Sequence, residues 1–258
     1  MNTSDNIIAI ITARMGSSRL AGKVMLPLCG KSVLDHLIDR IENAGLFRQI
    51  VLATSQDPAN EPLVQLALRR NIGIFQGEEN DVLDRYVKIL RQWNAENCAR
   101  FCADNPLTDM ETTARLVRMH LDNHLDYSCV KGLRLELGLV ELFSRHALES
   151  EYAETSPSDE MRRESVGIFI RENASRFKVG TLKADPFLHL SPYRLTLDYQ
   201  EDYEMLRRVF DSLYRGHPIS YEEALRFLER NPEIASVNEA KVQKGANRYW
   251  QELDARLQ

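Results

Sequence analysis

The segment with the strongest chemical signal is a ten-residue run between Arg14 and Lys23, RMGSSRLAGK. Turns rich in glycine and serine expose several backbone N–H groups in one concavity, and the neighbouring arginines and lysine add positive charge. Together these features favour the binding of a phosphate chain. The run is not a Walker A loop, because five residues separate Gly16 from Gly22 and Lys23 is followed by Val24. An ordinary basic surface loop is the alternative that the residues alone leave open.

Two aspartates form a second candidate site. Asp104 and Asp198 each follow a stretch with the length and composition of a buried strand. If both strands end at the same edge of a sheet, the two carboxylates can hold one Mg²⁺ together with a triphosphate, because Mg²⁺ prefers one or two carboxylates plus phosphate oxygens. An aspartate at a strand end also serves as a helix cap or turn residue, and spacing alone does not separate these roles.

Short strands and amphipathic helices alternate before Asp104. We expect strands at 7–12, 50–54, 72–75 and 98–103, and helices at 32–45, after 57–58 and at 81–93. This alternation predicts an α/β fold with a mostly parallel sheet, right-handed crossovers and helices on both faces. Ligands of such sheets bind at the carboxyl ends of the strands, where the Arg14–Lys23 run and Asp104 would both lie.

The pattern changes after residue 126. Strands are expected at 127–130 and 137–143 with no long helix between them, so this part of the sheet is expected to be mixed or antiparallel. A loop at 154–159, a helix around 166–170 and strands at 177–182 and 193–198 follow, and the chain from Glu201 onward is helical in pattern. We expect a single domain over 1–258, with halves at 6–125 and 126–235 and a C-terminal helix at 236–258.

The composition is that of an ordinary globular protein. Its 258 residues include 33 Lys and Arg against 38 Asp and Glu, for a net charge of −5, and 43% are hydrophobic, which excludes disordered and collagen-like classes. The net charge argues against a nucleic-acid partner. The apolar run near the start is too short to span a bilayer, and four cysteines without CxxC spacing fit a reducing compartment, so we expect a cytoplasmic protein without a membrane partner. His120 and His124 are expected to share an exposed helix face rather than bind zinc.

Four motifs, in the right order, resemble those of the cytidylyltransferase family, in particular its spore-coat polysaccharide branch, a relative of the CMP-sugar synthetases for acylneuraminate and 3-deoxy-manno-octulosonate (Kdo). The motifs are the Arg14–Lys23 run with GKSVL at 30–34, DVLDRY at 81–86, ADNPLTD at 103–109 and RLTLDYQED at 194–202. Because all four motifs occur in the same order as in the family, the match is far more specific than any one motif. The resemblance extends over about residues 6–235.

This resemblance implies a Rossmann-like nucleotidyltransferase fold with a C-terminal helical appendage, which uses CTP and Mg²⁺. Residues 6–125 are the implied CTP-binding half and 126–235 the implied acceptor and metal half. The implied nucleotide-binding residues are Arg14, Gly16, Ser17, Arg19, Lys23, Gln76, Asp84 and Arg85, although a solvated turn is an alternative for Gln76. The implied catalytic residues are Arg14, Lys23 and Asp104, the metal ligands Asp104 and Asp198, and the acceptor-binding residues Glu141, Arg163 and Glu164.

The expected reaction is transfer of a cytidylyl group from CTP to a small sugar-like acceptor, a sugar acid for a surface glycan, with release of pyrophosphate. The chain departs from the family pattern at Ala21, where Pro is usual, at Arg162, where Glu is usual, and at Ser165, where His is usual. The last two positions belong to the acceptor side. Cytidylyl transfer to a phosphonate or a phosphorylated polyol, or nucleotide binding without transfer, are therefore alternatives. A homodimer is compatible with the resemblance.

Overall fold

The computed structural model describes residues 7–131, 140–185 and 193–241. The strands of these residues are β1 (Ile7–Thr12), β2 (Pro27–Leu28), β3 (Lys31–Ser32), β4 (Ile50–Ser55), β5 (Gly73–Gly77), β6 (Asn97–Cys102), β7 (Tyr127–Lys131), β8 (Glu141–Ser144) and β9 (Val179–Lys183). Seven of them form one sheet in the order β5-β4-β1-β6-β8-β7-β9, and β2 pairs with β3 in a small hairpin. All neighbours in the large sheet are parallel except β8, which is antiparallel to both β6 and β7. The expected α/β fold with a mostly parallel sheet is confirmed.

The helices connect and cover these strands. They are α1 (Val33–Ala44), α2 (Glu61–Arg69), α3 (Val82–Gln92), α4 (Met110–Asp122), α5 (Arg145–Glu154), α6 (Glu160–Glu164), α7 (Ile168–Glu172), α8 (Gln200–Leu213), α9 (Tyr221–Arg230) and α10 (Pro232–Ala235). Among the described residues, no helix has the length and apolar character needed to cross a membrane.

Local sequence explains where α1 begins and ends. The Ser32 side chain accepts a hydrogen bond from the backbone N–H of Asp35, and the Asp35 carboxylate accepts one from the backbone N–H of Ser32, which forms a capping box. Gly45 ends the helix in the left-handed conformation, with φ 61°, which glycine adopts without steric cost. The helix is thereby fixed in register, and its apolar residues face the sheet.

Two apolar clusters cover the two faces of the sheet. Alternate residues of β1 point to opposite faces, so that Ile7 and Ile11 pack with α1, α2 and α4, whereas Ile8 and Ile10 pack with α3, α5 and α7. All four side chains are fully buried. Both faces of the sheet are therefore shielded from water at β1, as the continuous apolar sequence of this strand requires.

A third apolar cluster joins the C-terminal helices to the edge of the sheet that carries the motifs. Leu206 and Phe210 of α8 and Leu225 of α9 pack against Leu28 of β2 and Leu197. This packing holds the RLTLDYQED segment against the end of β6. The 3₁₀ turn at Ser236–Asn238 continues this region, and the remainder of the expected C-terminal helix, residues 242–258, lies outside the described residues.

Two expectations are corrected, those for residues 193–198 and for His120, and a third lies partly outside the described residues. Residues 193–198 do not form a strand; instead the Leu197 N–H donates to the carbonyl of Asp104 at 2.9 Å, and Thr196 Oγ1 donates to Asn105 Oδ1 at 2.8 Å. The strand expected at 137–143 is described as β8 from Glu141, and 137–139 lie outside the described residues. His120 is fully buried rather than exposed, between Ser128 and Asn97.

Candidate active site

A cavity of about 280 Å³ opens at the carboxyl ends of three neighbouring parallel strands. Thr12, Ser55 and Cys102, the last residues of β1, β4 and β6, line it. Five cationic and three acidic side chains complete the walls: Arg14, Arg19, Lys23, Arg85 and Arg100, and Glu79, Asp104 and Glu164. The cavity is where the topology of an open α/β sheet places a ligand, and its excess of cations suits an anionic one.

The Arg14–Lys23 loop is folded around one backbone carbonyl. The Met15 carbonyl accepts hydrogen bonds from the backbone N–H groups of Ser17 and Gly22, at 2.9 and 3.0 Å, and the Met15 N–H donates to Asn60 Oδ1 at 2.8 Å. Gly22 has φ 64°, a conformation that side chains other than that of glycine adopt only with strain. This turn sends the chain back so that Lys23 points toward the end of β6.

Lys23 joins the two aspartates predicted from the sequence. Its Nζ donates to Asp104 Oδ2 at 2.6 Å and to Asp198 Oδ1 at 2.8 Å, so these two oxygens lie within about 5.4 Å of each other, the sum of the two contacts. The Lys23 side chain is buried. Burial opposes its charge, but both carboxylates raise its pKa above the ordinary value of 10.5, so that Lys23 carries a proton at neutral pH.

Asp198 lies at the centre of a buried cationic cluster. Besides Lys23, Arg19 contacts its Oδ1 at 2.8 Å and Arg194 contacts its Oδ2 at 2.8 Å. Burial would raise the pKa of Asp198, yet hydrogen bonds and charges from these cations lower it below 3.8. Asp202 fixes the local backbone by accepting hydrogen bonds from Arg194 Nε and from the Asp198 N–H. The Asp198 side chain is therefore ionised and held in one orientation.

Two arginines of the loop can still interact with an anion. Arg19 Nη1 is buried without a hydrogen-bond partner within the described part of the chain, and its guanidinium lies 5.2 Å from the centre of the Tyr199 ring. Arg14 is half exposed and lies between Glu79, at 3.4 Å, and Glu164, at 3.9 Å. Exposed ion pairs of this kind contribute little, so an anionic ligand can replace them at small cost.

The structure brings most of the predicted nucleotide-binding residues to this cavity. Ser17 and Arg85 line it with the loop cations, whereas Gly16, Gln76 and Asp84 are not among its lining residues. Arg85 donates to the carbonyls of Glu78 and Glu79 and so orders the segment before α3. The Asp84 carboxylate interacts with Lys88 and Tyr152 instead.

The three predicted acceptor-binding residues are placed differently from one another. Glu164 lines the cavity from the end of α6. Arg163 is buried, donates to the Thr155 carbonyl at 2.7 Å and stacks on the Tyr152 ring at 4.4 Å. Glu141 is not among the lining residues, and it contacts the cavity through Arg100, whose Nη1 donates to Glu141 Oε2 at 2.9 Å.

Two charged cavity residues, Arg100 and Glu79, were not singled out from the sequence. Arg100 lies within the predicted strand CARFC, and a charged residue among buried apolar ones is a signal that could have identified it. Glu79 lies in a polar turn before α3, where its acidic neighbours give it no distinguishing pattern. Its position opposite Arg14 depends on tertiary packing alone.

Comparison with known proteins identifies the family. The family model described as cytidylyltransferase matches residues 8–235. The chain belongs to the cytidylyltransferase family. It is similar to the spore coat polysaccharide biosynthesis protein SpsF of Bacillus subtilis strain 168, with 30% identity over 240 residues that cover 92% of this chain and 99% of that protein. The resemblance expected from the four motifs is confirmed, and the protein is a nucleotidyltransferase.

Solved structures share its fold. A cytidylyltransferase from Leptospira borgpetersenii serovar Hardjo-bovis superposes with a TM-score of 0.83 and 24% identity, over 93% of this chain and 99% of that one. CMP:2-keto-3-deoxy-manno-octonic acid synthetase complexed with CTP superposes with a TM-score of 0.60 and 16% identity, over 80% of this chain and 99% of that one. These similarities establish the nucleotidyltransferase fold.

Proposed function

We propose that this protein transfers a cytidylyl group from CTP to an oxygen of a sugar acid and releases pyrophosphate. The observation that carries the proposal is the Lys23 ammonium between Asp104 and Asp198, beside a loop that adds Arg14 and Arg19. This arrangement combines cations for a polyphosphate with carboxylates for a divalent ion. Among proteins of the same fold, the Kdo synthetase complexed with CTP supports the choice of nucleotide and of acceptor class.

The loop cations are proposed to hold the triphosphate. Arg14 and Lys23, which stand before and after Ser17 in the chain, both line the cavity with positive charge, and Arg19 retains a buried donor with no partner in the described residues. As the acceptor oxygen attacks the α-phosphorus in line, negative charge develops on the departing pyrophosphate. Fixed cations stabilise that charge without having to reorganise, which is the main way in which a protein accelerates such a transfer.

Asp104 and Asp198 are proposed to hold the divalent ion, with Mg²⁺ as the expected metal. Their oxygens are the hard ligands that Mg²⁺ prefers, and one ammonium already spans them both. Within the described ranges no group of three or more His, Cys, Asp or Glu side chains could hold a metal. Asp104 and Asp198 alone would suit an ion that takes its other ligands from phosphate and water. When bound, this ion would neutralise phosphate oxygens and polarise the α-phosphorus.

The cytosine and acceptor contacts remain proposals from the family motifs. Arg85 and Gln76 are proposed for the nucleotide, together with Asp84. Glu164 is proposed to contact the acceptor because it lines the cavity from outside the Arg14–Lys23 loop, and Arg163 is proposed to support that segment through its hydrogen bond to the Thr155 carbonyl. Transfer to a phosphonate or a phosphorylated polyol is the alternative with the same nucleotide chemistry.

Pyrophosphate release tests this function. The protein with Mg²⁺ is supplied with CTP, UTP, ATP or GTP and with Kdo, N-acetylneuraminate, a phosphonate or a phosphorylated polyol as acceptor. We expect release with CTP and a sugar acid. A preference for ATP or GTP would refute the nucleotide assignment, release only with the phosphorus-containing acceptors would replace the acceptor class, and tight CTP binding without any release would indicate a non-catalytic homologue.

A further inference from the structure

Arg100 is a charged residue in the middle of a buried strand. On β6 its neighbours Cys98 and Ala99 are fully buried and Phe101 is 1% exposed, whereas 27% of the Arg100 side chain is exposed and lines the cavity. A guanidinium in such a strand destabilises the fold unless its charge is paired or binds a ligand. Because Arg100 lines the cavity, we expect its second partner to be a ligand.

One carboxylate holds Arg100 in place. Glu141 lies directly opposite on β8, and its Oε2 accepts from Arg100 Nη1 at 2.9 Å. Its Oε1 accepts from Tyr127 Oη at 2.6 Å and from Arg171. Burial would raise the pKa of Glu141, but the two guanidiniums lower it, so this carboxylate is ionised and shared between both arginines. Within the described chain Glu141 is the only carboxylate in salt-bridge contact with Arg100, so its positive charge is only partly balanced.

Arg100 lies in a different part of the cavity from the phosphate loop. It precedes Asp104 by four residues and pairs in register with Ile10, two residues before the end of β1. The loop cations begin only after that end, at Arg14. Arg100 therefore lies further from the carboxyl ends of the strands than Lys23 and Asp104 do, and like Cys102 of the same strand it lines the cavity.

We propose that Arg100 binds the carboxylate of the acceptor and that Glu141 is its positioning residue. The proposal rests on the proposed function, since it assigns the acid group of the acceptor to one side chain. A guanidinium has a planar fork of donors that matches a carboxylate, and Glu141 occupies only one of its nitrogens. An acceptor whose acid is converted to an amide loses this charge-assisted contact, so Arg100 would select acids over their neutral analogues.

The test compares an acid with its amide. Arg100→Gln, Arg100→Lys and Glu141→Gln are assayed for pyrophosphate release with CTP and Mg²⁺, using Kdo, N-acetylneuraminate and the C1 amide of each, and the dissociation constant of CTP is measured separately by calorimetry. Arg91→Gln is the control, because Arg91 is an exposed arginine paired with Glu149 and does not line the cavity.

For Arg100→Gln we expect KM for the acid to rise about 10- to 100-fold, the range for a hydrogen bond to a charged group, with the CTP dissociation constant unchanged. The preference for acid over amide should disappear in this variant, stay partly intact in Arg100→Lys and weaken in Glu141→Gln. Arg91→Gln should match the unchanged protein. If Arg100→Gln does not fold, the same acid-to-amide ratio is measured in Arg100→Lys, which keeps the charge.

Three results would overturn the proposal: an unchanged acid-to-amide ratio in the Arg100 variants, a loss of CTP affinity in place of acceptor affinity, or an unchanged protein that uses only uncharged or phosphorylated acceptors. Failure of the proposed function itself has a separate signature, since the unchanged protein would then release no pyrophosphate from CTP with any acceptor.

Discussion

Replacing Lys23 with Met removes one charge from the centre of the site and keeps the volume of the side chain. Asp198 is 3% exposed and would lose one of its three cations, whereas Asp104, at 21% exposure, would recover some contact with water. We therefore expect Lys23→Met to destabilise the fold mainly through Asp198, and we expect Asp198→Asn to destabilise it through the same contact.

The structure sets the size of this effect. A pair of unit charges 2.8 Å apart attracts with a gross energy of about 6 kcal/mol at an effective dielectric constant near 20, and most of this is offset by the cost of removing both groups from water. Because Arg19 and Arg194 still neutralise Asp198, Lys23→Met should lower the free energy of unfolding by about 2–3 kcal/mol, somewhat less than the about 3–5 kcal/mol for a buried pair broken with no other partner. The coupling free energy between Lys23 and Asp198 should be about 2 kcal/mol.

Urea unfolding of the two single variants and the double variant measures this coupling. The matched control is the more exposed pair of Lys31 and Asp39, with side chains 41% and 20% exposed, replaced by Met and Asn; its coupling should be below about 1 kcal/mol. If the losses of Lys23→Met and Asp198→Asn simply add, or if the coupling equals that of the control pair, Lys23 does not hold Asp198 and the reasoning fails.

Three further outcomes are expected. Arg19→Ala should fold and lose at least about tenfold in CTP affinity, measured by thermal shift with Mg²⁺, because it removes a charge from the phosphate loop; equal shifts would exclude the loop as the triphosphate site. Burial raises the pKa of the Glu151 carboxyl to about 7, although hydrogen bonds from the backbone N–H groups of Phe169 and Gly167 lower it, so the folded protein binds this proton more tightly than the unfolded chain does. The free energy of unfolding should therefore fall by about 3 kcal/mol as the pH rises from 4.5 through 7, and Glu151→Gln should abolish this dependence. Burial lowers the pKa of His120 to about 4, so stability should instead fall by about 3 kcal/mol as pH drops from 6.5 through 4, and a His120→Gln protein with the same acid slope would contradict this assignment.

Much of the first half of the fold is predictable from local sequence. The strands β1 and β4 are central and buried on both faces, so they are nearly continuous apolar runs at the positions where the structure has them. Ser32 and Gly45 mark the ends of α1 because capping depends only on nearby residues. Local patterns suffice wherever an element's environment is uniform along its length.

Local patterns fail where another element supplies the environment. Leu195 and Leu197 alternate with polar residues as in a strand, but they are apolar because they pack against α8 and not because they join the sheet. His120 lies one turn after Leu116 on the buried face of α4, where Ser128 and Asn97 satisfy its ring nitrogens. Neither arrangement has a signal in the residues beside it.

The candidate site is also only partly predictable from local sequence. Its loop and two aspartates are recognisable from residue type and motif order, but their convergence on one ammonium requires residues 94 positions apart in sequence to meet. Glu141 is implied by the resemblance to the family, whereas its contact with Arg100 arises from the antiparallel register of β8. The sequence thus indicates which side chains belong to the site, and tertiary packing determines which of them contact one another.

The most direct test of a shared site is the effect of Mg²⁺ on CTP binding, measured by calorimetry in the unchanged protein, Asp104→Asn, Asp198→Asn and the double variant. Each substitution keeps size and hydrogen-bonding capacity but removes a charge that Mg²⁺ requires. If the two carboxylates hold one ion, Mg²⁺ should strengthen CTP binding only in the unchanged protein, and the double variant should lose little more than the worse single variant. Independent, additive losses, or a Mg²⁺ effect that survives both substitutions, would contradict this account.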